Sequence, residues 1–151
     1  MNRRTKKLKD KYIEVFYKGL TEKDKEKIHL NDYLWHAYSY EAVPCIEGVE
    51  AVKEFMKKEK NDVYVFCLYN GYVEEIKDLT YEKLLKMIYW DKIYSDCYVV
   101  DKDFKWTFVY THETEDVEKV LNYMKKNEDL YDSYYIGPFF KSLDNTYIGN
   151  K

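Results

Sequence analysis

The feature that most constrains the fold is a continuous apolar run that ends in an Asn-Gly pair. Residues 62–69 have the sequence DVYVFCLY, and Asn70-Gly71 follows directly. A short apolar run without alternation is typical of a central strand covered on both faces. Asn-Gly is the strongest short hairpin signal because both central residues of the favoured turn have positive φ. The sequence therefore predicts a hairpin whose return strand spans residues 72–76.

A second strand–turn–strand pattern lies further along the chain. Residues 97–100 and 104–111 are predicted to pair across a turn at residues 101–103, where aspartates are common. In the second of these strands Trp106, Phe108 and Tyr110 face one way, and the residues between them face the other. Residues 32–41, DYLWHAYSYE, are rich in aromatic side chains and are also predicted to form a strand.

Apolar residues at helical spacing predict helices around these strands. They occupy residues 5–18, a short charged segment that begins at Thr21, residues 47–60, and two segments that begin at the N-cap residues Thr80 and Thr114. For the aromatic tail from Tyr131 onward, both a strand and an irregular segment stay open. This order of elements predicts an α+β fold, with a mainly antiparallel sheet of about five strands and about four helices packed on it.

Charge divides the 151-residue chain into two unequal parts. Residues 1–28 contain 10 Lys or Arg against 5 Asp or Glu, whereas residues 29–151 contain 15 against 23. We predict a basic N-terminal helical segment over residues 1–28 and a single α+β domain over residues 29–151. Arg3 and Arg4 are the only arginines, so the acidic part offers no guanidinium group for bidentate contacts with phosphate.

The composition disfavours several functional classes. The five glycines are too scattered for a phosphate-binding loop, and we expect no cofactor. The three cysteines lack a Cys-x-x-Cys pair, which favours buried thiols in a reducing compartment. No apolar stretch approaches the roughly 18 residues of a membrane helix, and the N-terminus lacks the apolar region of a secretory signal. We therefore predict a cytoplasmic protein without membrane contact.

Aromatic side chains are unusually abundant, and 18 of them are tyrosines. Tyr and Trp are enriched at protein interfaces because they combine apolar area with a hydrogen-bonding tip. Together with the acidic composition, this favours a non-enzymatic protein that binds another protein, such as a toxin or effector, in the manner of an immunity protein or inhibitor. The predicted binding face consists of Trp35, Tyr38, Tyr40, Asp101, Asp103 and Trp106.

Two alternatives to protein binding stay open. His36, His112 and Glu113 could gather in one pocket as the acid–base groups of a small hydrolase-like enzyme. The two histidines with Asp101 or Glu113 could also ligate a metal ion, but we predict no metal site and favour two strand-end histidines that are hydrogen-bonded to their neighbours. The second alternative is nucleic-acid binding through the basic N-terminal arm, which the acidic body disfavours and whose affinity would fall steeply with salt.

Three segments are similar to those of one protein family. They are residues 34–41, LWHAYSYE, residues 97–113, CYVVDKDFKWTFVYTHE, and residues 137–140, GPFF. They resemble an uncharacterised family of short bacterial proteins, domain of unknown function 4275, over most of the chain from about residue 20. The family has no established activity, so the resemblance implies a fold and not a reaction. The strand–turn–strand ending in Thr-His-Glu also resembles toxin-immunity proteins, which commonly bind their toxin through an acidic or aromatic face.

Overall fold

The computed structural model is an α+β fold built on one antiparallel sheet, as the sequence predicts. It describes residues 2–59, 61–89, 96–112, 114 and 137–143. Within these residues, five helices and six strands are present rather than about four and about five. The helices are α1 (Arg3–Phe16), α2 (Glu22–Lys27), α3 (His36–Ser39), α4 (Val49–Met56) and α5 (Tyr81–Tyr89). The strands are β1 (Ile46–Glu47), β2 (Val63–Cys67), β3 (Tyr72–Ile76), β4 (Cys97–Asp101), β5 (Trp106–Tyr110) and β6 (Phe139–Ser142).

The strand order in the sheet is β1-β6-β5-β4-β2-β3. All five strand pairs are antiparallel. The apolar strand β2 lies inside the sheet, as its unbroken run predicts, whereas β3 forms one edge and exposes Glu74 and Glu75. The opposite edge is the two-residue strand β1.

The first predicted hairpin is confirmed, but its turn is longer than the Asn-Gly pair suggests. Cys67 is paired with Tyr72, so four residues connect β2 to β3. Of the Asn-Gly pair only Gly71 has positive φ, at 73°. The Asn70 side chain accepts a hydrogen bond from the Tyr72 amide at 3.0 Å. The Asn2 side chain donates to the Gly71 carbonyl at 2.9 Å. These contacts stabilise a wider loop than a two-residue turn.

The second predicted hairpin is also confirmed. Strands β4 and β5 pair from Cys97 opposite Tyr110 to Val100 opposite Thr107. The alternation in β5 is observed as well, because Trp106, Phe108 and Tyr110 belong to one core and Val109 to the other. Both faces of the strand are buried.

Helices cover both faces of the sheet and so create two cores. On one face α4 and α5 pack against β2, β4 and β5, with Phe55 stacked on Phe108 at a ring distance of 4.5 Å. On the other face α1 and the segment around α3 pack against Phe66 and Tyr98. The predicted helices at residues 47–60 and after Thr80 are thus confirmed, and the Thr80 hydroxyl accepts the Lys83 amide as an N-cap.

The predicted strand over residues 32–41 is wrong. This segment consists of turns around the short helix α3. Leu34, Ala37 and Tyr38 are buried, and their spacing of three and four residues matches a helical turn rather than a strand. Aromatic residues favour strands only where they pack on a pleated surface. Here they pack onto the sheet from outside, so tertiary contacts override the local preference.

Helix α1 belongs to the second core although its exposed face is basic. Tyr12 and Phe16 are buried against the sheet, and Thr21 and Asp24 form the predicted capping box at the start of α2. The boundary that we predict between residues 28 and 29 stays a prediction. The predicted helix after Thr114 and residues 131–136 of the tail lie outside the described residues, and β6 is a strand within that tail. Among the described residues, no helix has the length and apolarity to cross a membrane.

Candidate functional site

A group of aromatic and imidazole rings, most of them at least partly exposed, lies beside the start of β4 and the end of β5. We call it the aromatic–histidine patch, and it consists of Tyr33, Trp35, His36, Tyr40 and His112. The Tyr33 ring lies 5.1 Å from His36 and 5.2 Å from His112, measured between ring centroids. The Trp35 ring lies 4.9 and 5.9 Å from the same two histidines. The structure thus brings together His36 and His112, two residues that the sequence identifies as candidates.

Tyr33, an exposed ring of the patch, packs on the buried side chain of Trp35. Trp35 is 1% exposed and stacks on Phe139 of β6, whereas Tyr33 is 40% exposed and stacks on Trp35 at 5.2 Å. Tyr40 is 52% exposed and contacts the His36 ring at 4.9 Å. The sheet therefore supports the patch through Trp35, and the two tyrosines present their rings to solvent.

His36 fixes the chain that leads into the patch. Its Nδ1 atom lies 2.8 Å from the Ile28 carbonyl oxygen and 3.2 Å from that of His29. Carbonyl oxygens accept hydrogen bonds, so this nitrogen carries the proton and donates it. The imidazole thereby ties the end of α2 to the start of α3. His36 thus has the structural role that we considered beside the catalytic one.

His112 forms an ion-pair geometry with an aspartate that the sequence reasoning missed. The buried Asp96 carboxylate accepts the His112 backbone amide at 2.8 Å and contacts its Nδ1 at 2.9 Å. Asp96 directly precedes β4, and His112 comes shortly after the end of β5. The pairing of Cys97 with Tyr110 brings these two strand ends together. The register of the hairpin, which the local patterns do not specify, is therefore the signal that reveals this pair.

A small depression adjoins the patch on the Tyr33 side. Its volume is about 250 Å³. Tyr33 and Asp96 form part of its wall, and Tyr69, which is 88% exposed, extends from the β2–β3 loop at its margin. A concave surface therefore lies next to the exposed rings.

The predicted binding face is not one surface. Trp35 and Tyr38 are buried in the core that contains α1, whereas Trp106 is buried in the core on the other side of the sheet. Asp101 and Asp103 lie at the β4–β5 turn. This turn follows the last residue of β4, whereas Asp96 precedes the first. Of the six residues, Tyr40 is exposed within the patch and Asp103 is exposed at the turn.

Many of the tyrosines serve the interior instead of a surface. The Tyr12 and Tyr38 hydroxyls lie 2.8 Å apart, and the Tyr17 hydroxyl donates to the Leu34 carbonyl at 2.7 Å. Thr107 Oγ1 is 3.1 Å from the Tyr12 hydroxyl and 2.9 Å from the Val99 carbonyl oxygen. Burial raises the pKa of the Tyr12, Tyr17, Tyr38 and Tyr98 hydroxyls well above the usual value. We call these four residues the buried tyrosine cluster.

The catalytic and metal candidates are placed only in part. Glu113 lies outside the described residues. Asp101 lies five positions along β4 from Asp96, roughly 16 Å at strand spacing, so it is remote from His112. Within the described ranges, no three His, Cys, Asp or Glu side chains gather where a metal ion could bind.

The basic N-terminal arm, residues 1–28, is the candidate for nucleic-acid binding. Lys6 pairs with Asp10, and Lys11 lies 4.5 Å from the Phe104 ring centroid. Nucleic-acid binding stays a prediction.

Comparison with known proteins identifies a family. The family described as Domain of unknown function (DUF4275) matches residues 1–121, and the chain belongs to it. The match includes residues 34–41 and 97–113, which carried the resemblance. It also includes the first 20 residues, which the resemblance omitted, and ends before residues 137–140. No curated protein and no solved structure matches the chain.

Proposed function

We propose that this member of the DUF4275 family is a non-enzymatic binding protein of the immunity or inhibitor type. It would recognise another protein through the aromatic–histidine patch. The observation that carries the proposal is that Tyr33 and Tyr40 are exposed while their rings contact the buried Trp35 and the hydrogen-bonded His36.

Three physical arguments support this function. Rings held by their neighbours lose little side-chain entropy on binding, so more of the contact energy appears as affinity. The depression beside Tyr33 offers a pocket for one side chain of the partner. The exposed acidic residues Asp32 and Glu41 flank the patch in sequence, and residues 29–151 are acidic as a whole. A partner with a basic surface would therefore associate faster with this face.

We expect Tyr33→Ala and Tyr40→Ala each to weaken capture of the partner by roughly 30-fold, because an aromatic residue at the centre of an interface commonly contributes about 2 kcal/mol or more. The measurement is affinity capture with the full chain, followed by mass spectrometry and then by titration of the captured protein. Met56→Ala is the matched control, since Met56 is exposed on α4 at the opposite face of the sheet. Capture that is equal for all variants, or turnover of a substrate without any partner, would contradict the proposal.

The contact between His112 and Asp96 favours one second candidate, a small hydrolase-like enzyme. A carboxylate on Nδ1 fixes the orientation of an imidazole, and a general base would then use Nε2. His112 would be the base, and His36 contacts the same two rings as His112; Glu113, the third candidate, lies outside the described residues. For this candidate we expect His112→Gln to abolish turnover and Asp96→Asn to lower it by about 100-fold or more. A chain with no hydrolase activity in a substrate screen would exclude it.

The proposal includes a cytoplasmic location. Cys67 and Cys97 face each other across β2 and β4, with sulfur atoms 3.5 Å apart. Contact with Cys67 and burial raise the pKa of the Cys97 thiol, which keeps it protonated and unreactive. Buried thiols of this kind are common in reducing compartments, so they support the proposed location.

A further inference from the structure

A wide groove lies between the end of α1, helix α2, the chain after α3 and strand β6. Its volume is about 900 Å³, within the range of small-molecule sites. Its lining is mostly apolar and includes Val15, Phe16, Leu20, Ile28, Val43 and Leu143. Leu143 is 47% exposed, so the apolar surface is open to solvent at the β6 end.

The charges around this groove are almost all positive. Lys18, Lys27 and Lys141 lie at its wall, and Asp24 is its single acidic residue. Asp24 accepts the Thr21 amide in the capping box at 3.0 Å, so its carboxylate is already engaged. In the part of the chain that the structure describes, none of the three lysines forms an ion pair. Three ammonium groups against one carboxylate give the groove a net positive charge in a chain of net charge −3.

Lys141 is the least exposed of the three lysines. Its ammonium group donates a hydrogen bond to the Pro44 carbonyl at 3.0 Å, which fixes its position beside the apolar lining. The side chain is half-buried, and this burial lowers the pKa of the amine. An ammonium group with reduced hydration gains more from a nearby anion than a fully exposed one does.

We propose that this groove binds an alkyl carboxylate, with its chain on the apolar lining and its carboxylate on Lys141. The apolar lining of the groove suits an alkyl chain, and the ammonium groups at its wall suit one negative headgroup. A carboxylate is the headgroup that we infer because it carries one negative charge, which matches the single half-buried ammonium group at the groove, that of Lys141. The proposal does not rest on the protein-binding function.

The test is calorimetric titration of the full chain with decanoate below its aggregation concentration. Two probes of equal chain length separate the contributions, namely decyltrimethylammonium, which has the opposite charge, and decanol, which has none. We expect decanoate to bind at least about tenfold more tightly than either. We also expect its affinity to fall as salt is added, because the flanking lysines are exposed.

Two variants locate the site. Lys141→Gln removes the charge and retains a donor for the Pro44 carbonyl, and Leu143→Glu adds a negative charge at the exposed end of the groove. Each is expected to weaken decanoate binding by about tenfold or more, while Lys7→Gln on the exposed face of α1 leaves it unchanged. Circular dichroism verifies that all three variants are folded. Absence of decanoate binding, equal binding of decanol, or unchanged affinity in both groove variants would overturn the proposal.

Discussion

Replacement of Tyr12 by alanine is expected to lower the free energy of unfolding by about 3–5 kcal/mol, the range for large aromatic side chains in cores. Tyr12 is fully buried. Its ring lies within 4.7–6.1 Å of the rings of Phe16, Tyr17, Phe66 and Tyr98. The substitution therefore leaves a cavity between α1 and the sheet. It also removes the hydroxyl that contacts those of Tyr38 and Thr107.

Urea unfolding, followed by circular dichroism and by tryptophan fluorescence, measures this change. Tyr12→Phe retains the ring and should cost only about 1–3 kcal/mol, mainly from unsatisfied hydroxyl partners. Tyr69→Ala is the control, because a side chain that is 88% exposed should change the stability by less than about 0.5 kcal/mol. The experiment also tests the boundary at residue 28. Loss of α1 alone, with the sheet still folded, would show that residues 1–28 are a separate unit and would contradict the expected global destabilisation.

Strong alkaline sensitivity is the second large effect that we expect. Burial raises the pKa of all four hydroxyls in the buried tyrosine cluster above the unfolded value of about 10. Above pH 10 the unfolded chain therefore loses protons that the folded protein retains, and stability decreases as pH increases. Each tyrosine contributes a slope of up to about 1.4 kcal/mol per pH unit, so the cluster approaches about 5 kcal/mol per pH unit. Below pH 10 this contribution to stability is fully present.

The measurement is a pH titration in which tyrosinate absorbance and circular dichroism are recorded together. We expect one cooperative step above pH 10, in which the cluster ionises as secondary structure is lost. Tyr98→Phe should reduce the pH slope of stability by the contribution of one tyrosine, about 1.4 kcal/mol per pH unit. If all tyrosines ionise gradually while the circular dichroism is unchanged, the cluster is accessible to solvent and the prediction fails.

Local patterns were sufficient for the hairpins and for most of the helices. The unbroken apolar run that became β2 indicates a strand covered on both faces, and the alternation in β5 reports the pleated backbone, in which successive side chains face opposite sides. The segment around α3 was mispredicted for the opposite reason. Trp35 packs on Phe139, a residue about a hundred positions away, and no local pattern reports that contact.

The candidate site was predictable to a similar degree. His36 and His112 were identified as residue types with useful chemistry, and they lie around the same two rings. Asp96 was missed because an isolated aspartate has no distinctive pattern, and only strand register places it beside His112. The excess of tyrosine was ambiguous between surface and core. In the structure some tyrosines belong to the surface and others to the core. Tyr33 and Tyr40 are exposed in the patch, and the buried tyrosine cluster lies in the interior.

Among the strands that the structure describes, β3 is an outer edge of the sheet, and this has a consequence for how copies of this protein behave toward each other. An unpaired edge offers a row of backbone donors and acceptors to any incoming strand, which is how fibrils and swapped dimers begin. Two adjacent glutamates, Glu74 and Glu75, are exposed on this strand, and Glu75 is held by Lys102 at 2.9 Å. When two such edges approach, the Glu74 carboxylates repel each other, since they have the same charge. The opposite edge has only two residues in β1, too few to start such growth. Self-assembly is thus opposed at one border of the sheet by charge and at the other by length.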